Sequence, residues 1–439
     1  MVESNKQLKS RDIYLSQLIE FKDKEPIKVI TGIRRSGKSS LLKLMQEHLL
    51  DNGVKEKQII SMNFESFDFQ SMNYTDLYEY VKNRIVKGKR SYLFFDELQR
   101  IDKWENAINA FRVDFDCDIY ITGSNSYLLS TEYSTYLAGR YVEIKMYPLS
   151  FKEFIDFHGF KLVEYKTLLG NNKKRALNAN DEIVEINDLF DAYLRYGGMP
   201  GIMDIGLEQN KVLTLLDGVY STVIIRDILQ RHRKSQLSQI SDTELLRKIV
   251  LFLADNIGNN TSINSISNVL LSQNMLQQVQ KSSKPATKTI SSYVASLKES
   301  FLFYEVKRFD IKGKEYLSTL GKYYIVDIGL RNYLLGFRDR DKGHILENIV
   351  YFELLRRGYD VCIGKINDLE VDFIATKPDE KIYIQVNQSM KNESVRDREL
   401  NALQKINNNY RKMIISLDKL IDDEFNGIEI VDLIEWLLK

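Results

Sequence analysis

The chain is poor in several features that would narrow its role at once. Its 439 residues include two cysteines, Cys117 and Cys362, far apart and outside any metal-ligand spacing. That leaves no disulfide framework and no cysteine-built zinc site, and it points to a reducing, cytoplasmic setting. Five prolines are too few for a Pro-rich linker. No apolar run approaches the roughly 18 residues that a membrane-spanning helix needs. The opening Met-Val-Glu-Ser-Asn-Lys lacks the apolar stretch of a signal peptide. With 62 basic against 61 acidic residues there is almost no net charge. Any nucleic-acid binding must therefore come from a local patch.

What is present describes a soluble, multi-domain α/β protein. The 44% hydrophobic and 28% charged fractions are globular, and the length calls for two or three cores. Residues 11–22 read as an amphipathic helix. Strands are expected at Ile27–Thr31, Gln58–Phe64, Tyr92–Phe95 and Asp118–Thr122. Helices are expected between them at Lys38–Leu50, Thr75–Val86 and Trp104–Phe111. This alternation predicts a parallel sheet covered on both faces.

Between the first strand and helix, residues 32–39 read Gly-Ile-Arg-Arg-Ser-Gly-Lys-Ser, a loop built to wrap phosphate. Gly32 and Gly37 let backbone N–H groups close on phosphate oxygens. Lys38 brings a positive charge to the β- and γ-phosphates, and the Ser39 hydroxyl is the expected Mg²⁺ ligand. Arg34, Arg35, Ser36 and Ser40 complete the nucleotide-contacting stretch. Asp96 ends a buried strand, where a carboxylate needs a metal or a partner, and suits the Mg²⁺ shell. Glu97 is placed to deprotonate water. The strand after it ends Thr122-Gly123-Ser124-Asn125, and either Ser124 or Asn125 suits a γ-phosphate contact.

The strings Ile-Thr-Gly-Ile-Arg-Arg-Ser-Gly-Lys-Ser, Phe-Phe-Asp-Glu-Leu-Gln and Ile-Thr-Gly-Ser-Asn-Ser resemble a widespread group of prokaryotic AAA-type ATPases. So do Leu137-Ala138-Gly139-Arg140, Pro148–Phe154 and Tyr196-Gly197-Gly198-Met199-Pro200. The resemblance implies ATP and Mg²⁺, and a P-loop sheet with a helical lid. A winged helix and a C-terminal domain then follow. The corresponding divisions are 1–145, 146–240, 241–340 and 341–439. It makes Arg140 a candidate arginine finger in a homo-oligomer, against the alternative of a surface salt bridge, and Arg226 a weaker second.

The third region reads as helices Glu244–Ala254, Ser262–Leu271 and Thr287–Ser300 with a hairpin around Lys312-Gly313, an order resembling a winged helix. Lys281, Lys284, Lys288, Lys307, Arg308, Lys312 and Lys314 suit DNA phosphates, or equally the surface of a protein-binding module. The polar stretch 170–182 reads as an exposed loop. In the last region Glu347, Asp372, Gln385 and Asn387 resemble the site positions of the restriction-endonuclease-like fold. Such nucleases pair the carboxylates with a Glu-x-Lys around Mg²⁺. Here Gln385 and Asn387 replace that pair, which implies a retained fold without cleavage.

Three functions follow. The first is an ATPase whose nucleotide state controls a tail contacting DNA or a protein partner. The second is an ATP-gated metal-dependent nuclease, and the third a signalling or defence scaffold that touches no nucleic acid.

Overall fold

A computed structural model describes residues 8–124, 139–166, 172–230, 242–272, 287–418 and 424–439. It separates into two compact units, one of residues up to Met146 together with 299–301, the other from Tyr147 onward.

In the first unit five strands make one parallel sheet: β1 (Ile27–Thr31), β2 (Ile59–Asn63), β3 (Ser91–Asp96), β4 (Cys117–Gly123) and β5 (Tyr141–Lys145). Their order is β2-β3-β4-β1-β5. β1 and β3 are buried along their whole length, as strands covered on both faces must be. The helix Lys38–Asp51 packs Leu41, Leu42 and Met45 against one face with Ile30, Phe94 and Tyr120. On the other face Phe95, Phe111 and Trp104 belong to a separate aromatic-rich core. Because all strands run the same way, the residues after β1, β3 and β4 emerge at one edge, where ligands of such sheets bind.

The second unit begins with a capped helix. Ser150 accepts from the Glu153 N–H at 3.1 Å, and Glu153 accepts from the Ser150 N–H at 2.8 Å. This reciprocal box starts the helix Phe151–Phe157. Here the expectation of a mostly helical region from about residue 145, with an exposed loop at 170–182, is corrected. β6 (Lys161–Lys166), β7 (Asn172–Leu177) and β8 (Ile183–Val184) form an antiparallel sheet. The polar run does not lack regular structure: in β7 Lys173 is exposed, Lys174 and Arg175 are half-buried and Ala176 is buried.

Helices Thr243–Asp255, Ile263–Ser272 and Thr287–Glu299 precede a hairpin of β9 (Phe303–Asp310) and β10 (Glu315–Ile325). That hairpin is the edge of an eight-stranded mixed sheet, β10-β9-β11-β12-β13-β14-β16-β15. The remaining strands are β11 (Asp360–Ile366), β12 (Leu369–Lys377), β13 (Glu380–Ser389), β14 (Arg411–Asp418), β15 (Glu424–Phe425) and β16 (Ile428–Asp432). Helix Lys342–Arg356 packs on its strands β11 and β13. No helix among the described residues is long and apolar enough to cross a membrane.

The glycine pair of Tyr196–Pro200 locks the second unit internally. The Gly198 N–H donates to Asp327 Oδ2 at 2.6 Å, and the Leu149 N–H donates to the Gly198 carbonyl at 2.7 Å. A Cβ on Gly197 would lie 2.4 Å from Asp327 Oδ1. Asp327 also caps helix Ile328–Leu335 through the Leu330 N–H.

Candidate functional site

The loop after β1 folds as its glycines require. Gly32 has φ 146° and Gly37 φ 102°, values that residues with a Cβ rarely take. A Cβ on Gly32 would also stand 2.1 Å from the Met146 carbonyl oxygen. The Met146 N–H is in turn bonded to Thr31 at 2.7 Å, so β5 buttresses the loop. Lys38 is turned inward, donating to the carbonyls of Gly32 at 2.9 Å and Ile33 at 3.0 Å. Ser36 is buried, its Oγ without a hydrogen-bond partner among the described residues, and its carbonyl accepts from Arg11 Nη1 at 3.1 Å. Arg35, Ser39 and Ser40 are exposed.

The carboxylates come from the end of β3. Burial pushes Asp96 above the usual carboxylate range, while hydrogen bonds from Ser39 and Thr122 pull it back. Thr122, at the end of the intervening strand β4, donates to Asp96 Oδ1 at 2.5 Å and accepts from the Glu97 N–H at 3.0 Å. Glu97 sits in the left-handed region at φ 58°, an unfavourable conformation for a residue with a side chain. Its Oε2 accepts from Gln99 at 2.7 Å and Ser124 at 3.1 Å, with Arg34 Nη1 at 3.9 Å. Arg34 also pairs with Glu65, which Arg100 holds at 2.7 Å.

Lys38, Ser39, Asp96, Glu97 and Ser124 therefore gather at one sheet edge, and Asn125 lies outside the described residues. Arg140 is exposed, and its carbonyl accepts from the Ile27 N–H at 2.9 Å. That places it at the start of β1 and β5, the edge opposite the loop. Nothing is described of the Arg226 side chain, and Lys281 and Lys284 lie outside the described residues. Thr122, Gln99, Glu65 and Arg11 are additions from the structure. A polar residue closing an apolar strand marked Thr122, whereas nothing local marked Arg11. A buried ammonium, a buried hydroxyl and a helix N-terminus face a linked serine and aspartate. This donor set fits a polyphosphate with a hard dication.

In the second unit the carboxylates of Glu347, Glu370 and Asp372 surround Lys322 of β10. Its Nζ lies 2.8 Å from Glu347 Oε1, 2.8 Å from Glu370 Oε1 and 3.9 Å from Asp372 Oδ1. Burial alone would lower the Lys322 ammonium, but Glu347, Asp372 and Glu370 hold it above its ordinary value. Burial would raise Glu347, yet Lys322, His344 and Tyr324 keep it low. Asp372 is pushed well up by burial and by the Glu347 charge. Gln385 braces the strands, accepting from the Asp372 N–H at 2.6 Å and donating to Glu399 at 2.7 Å. Asn387 donates to Met390 Sδ at 3.0 Å, while its buried Oδ1 has no hydrogen-bond partner among the described residues. Of the expected wing cations, Lys288, Lys307, Lys312 and Lys314 are exposed. Arg308 approaches Glu370 at 3.8 Å.

A family model described as an AAA domain matches residues 24–155, and one described as a domain of unknown function matches residues 187–341. An uncharacterized protein of Haemophilus influenzae is 38% identical over 439 residues, covering 99% of this chain and 100% of that protein. An uncharacterized protein of Methanocaldococcus jannaschii is 31% identical over 431 residues, covering 94% of this chain and 88% of its own length. Among solved structures, a Walker-type ATPase of Pyrococcus abyssi aligns over 74% of this chain and 95% of its own. Its identity is 15% and the TM-score 0.47.

Proposed function

We propose that this chain, which belongs to the family of AAA-domain proteins it shares with the Haemophilus influenzae relative, binds and hydrolyses ATP and uses its nucleotide state to control a DNA-contacting tail. The observation that carries the reading is the chain of contacts from Ser39 through Asp96 and Thr122 to Glu97. It ties the loop to the carboxylate suited to act on water. Gly32, Arg34, Arg35, Ser36, Gly37, Lys38 and Ser40 would hold the phosphates, with Ser39 and Asp96 holding Mg²⁺. The metal, when bound, would offset phosphate charge. Lys38 would orient the phosphates, Ser124 or Asn125 would contact the γ-phosphate, and Glu97 would take the proton from the attacking water. Arg140 is at the far edge of its own sheet, which favours a role on the nucleotide of a neighbouring copy.

Three helices followed by a hairpin support a winged-helix reading of the region before the C-terminal strands. Exposed Lys288, Lys307, Lys312 and Lys314 support phosphate contacts there. The grouping of Glu347 and Asp372 supports a nuclease-like ancestry for the last strands. ATP turnover measured with and without duplex DNA, at two salt concentrations, tests the whole reading. Glu97→Gln should retain ATP binding and lose about 10²–10⁴-fold in turnover. DNA affinity should fall steeply with salt. Parent-rate hydrolysis by Glu97→Gln removes Glu97 as the base, and salt-independent or absent DNA binding removes the tail's proposed partner.

A further inference from the structure

The carboxylate cluster of the second unit raises the question of what cation it is built for. A divalent ion needs carboxylate oxygens that converge on one point and still have lone pairs and space to give. In this cluster the point of convergence is a protein atom. Lys322 Nζ is bonded to Glu347 and Glu370 and lies 3.9 Å from Asp372, and the residue is only 3% exposed.

Other groups close on the same carboxylates. Tyr324 donates to Glu347 Oε1 at 2.5 Å, and His344 Nδ1 stands 3.8 Å from Glu347 Oε2. Asn260 donates to Glu370 Oε2 at 2.8 Å, and the Val386 N–H donates to Asp372 Oδ2 at 2.8 Å. The Gly258 turn closes over the same carboxylate, since a Cβ there would lie 3.1 Å from Glu347 Oε2. Among the described residues no group of three acidic, histidine or cysteine side chains is disposed to hold a metal.

We propose that Lys322 is a built-in counter-ion standing where a nuclease-like tail would hold a dication, so that the native cluster is closed to metal. This rests on the nuclease-like reading of the tail and is independent of the ATPase reading. An ammonium that activated water beside a metal would flank the ligands. Lys322 instead sits among them and leaves no gap between itself and two of the three carboxylates. Alternation along β10 puts Lys322 and Tyr324 on one side of the strand, and both reach Glu347, so one hairpin supplies charge and hydrogen bond together. The ammonium carries one charge, and without it Glu347, Glu370 and Asp372 would face one another with no cation between them. Deleting it should turn the cluster into a site for a hard dication.

The test is Mn²⁺ binding, followed by electron paramagnetic resonance and by thermal shift, on the full chain without nucleotide. An Asp96→Asn background silences the first unit's metal position. In that background we expect no Mn²⁺ bound at the cluster, and no change on adding Asp372→Asn. Adding Lys322→Met should create Mn²⁺ binding at least tenfold tighter than the background, with a melting temperature that rises with Mn²⁺ and falls with chelator. Asp372→Asn on top of Lys322→Met should abolish the gain. Mn²⁺ binding with Lys322 intact that disappears in Asp372→Asn overturns the counter-ion and leaves the nuclease-like reading standing. A folded Lys322→Met protein that takes no Mn²⁺ overturns both. Should Lys322→Met fail to fold, Lys322→Gln, which removes the charge and keeps a polar end, takes its place with the same two outcomes.

Discussion

Two buried lysines show how differently the two units use the same group. In the first unit Lys38 donates to the carbonyls of its own loop, Gly32 and Ile33. Those carbonyls hold its ammonium in the loop, close enough to Asp96 to lower that carboxyl, and a phosphate entering the loop meets the same charge. In the second unit Lys322 is bonded to carboxylates of Glu347 and Glu370, which neutralise it in place. A buried cation among dipoles is a binding device; among anions it is a structural one. Burial is nearly the same, 5% exposed for Lys38 and 3% for Lys322, so burial does not make the distinction.

The largest effect that tests this contrast is on ligand binding. Lys38→Ala should abolish ATP turnover and weaken ATP binding by at least a hundredfold, about 3 kcal/mol, with little loss of stability. Equilibrium binding of a fluorescent ATP analogue and a melting curve measure both. An unfolded Lys38→Ala protein would place Lys38 in the structural class with Lys322 and break the comparison. Lys322→Met should do the reverse. Leaving Glu347 buried without its cation should destabilise the second unit by about 3–5 kcal/mol while ATP affinity stays at the parent value. Denaturant titration followed by both units' signals separates the two outcomes.

How much of this was legible in the sequence follows the same division. The loop site was, because its parts are local: glycines at fixed spacing, Lys38 and Ser39 following at once, Asp96 closing a short apolar run. β5 was not, because Tyr141–Lys145 lies at a sheet edge and is mostly half-buried, with no apolar run to mark it. β7 was hidden by charge. Lys322 could be read only as part of a hairpin, since its partners lie 25 to 50 residues onward on a helix and a strand. Glu347 and Asp372 were found through the resemblance, and their cation was not, because no motif expects it from that strand. The Pro148–Phe154 and Tyr196–Pro200 strings were legible as signatures but not as parts. Only the structure assigns them to a helix cap and an interlock around Asp327.

Asp327 provides an intermediate case: a buried charge held by backbone N–H groups. Burial pushes its carboxyl up to about 6, against the hydrogen bonds from Gly198, Leu330 and Gly329 that lower it. Its folded value lies above the ordinary 3.8, so the folded chain holds this proton more tightly than the unfolded one. The contribution is complete below the unfolded value and lost as pH rises through about 6. Relative to Asp327→Asn, which cannot titrate, the parent should gain about 2 kcal/mol on going from about pH 7.5 to pH 4.5. Urea midpoints at the two pH values measure it. A parent-minus-variant difference that is flat with pH would mean that backbone dipoles compensate Asp327 as fully as Lys322 compensates Glu347.

The smallest effect is a control on the comparison itself. Ser150→Ala removes the side-chain acceptor of the Glu153 N–H at the start of helix Phe151–Phe157. It touches no charged group at either lysine site. Loss of such a cap costs about 1 kcal/mol, which for a unit of this size lowers the melting temperature by roughly 2 °C. ATP binding should be unchanged, since the loop and its carboxylates belong to the first unit. The Mn²⁺ signal should be unchanged too, because loosening the second unit leaves Lys322 seated among its carboxylates. That last outcome matters most. If Ser150→Ala gained Mn²⁺ binding as Lys322→Met is expected to, a general loss of stability would suffice to open the cluster. The gain in Lys322→Met would then say nothing about the ammonium, and the contrast between a lysine bonded to loop carbonyls and one bonded to carboxylates would rest on geometry alone.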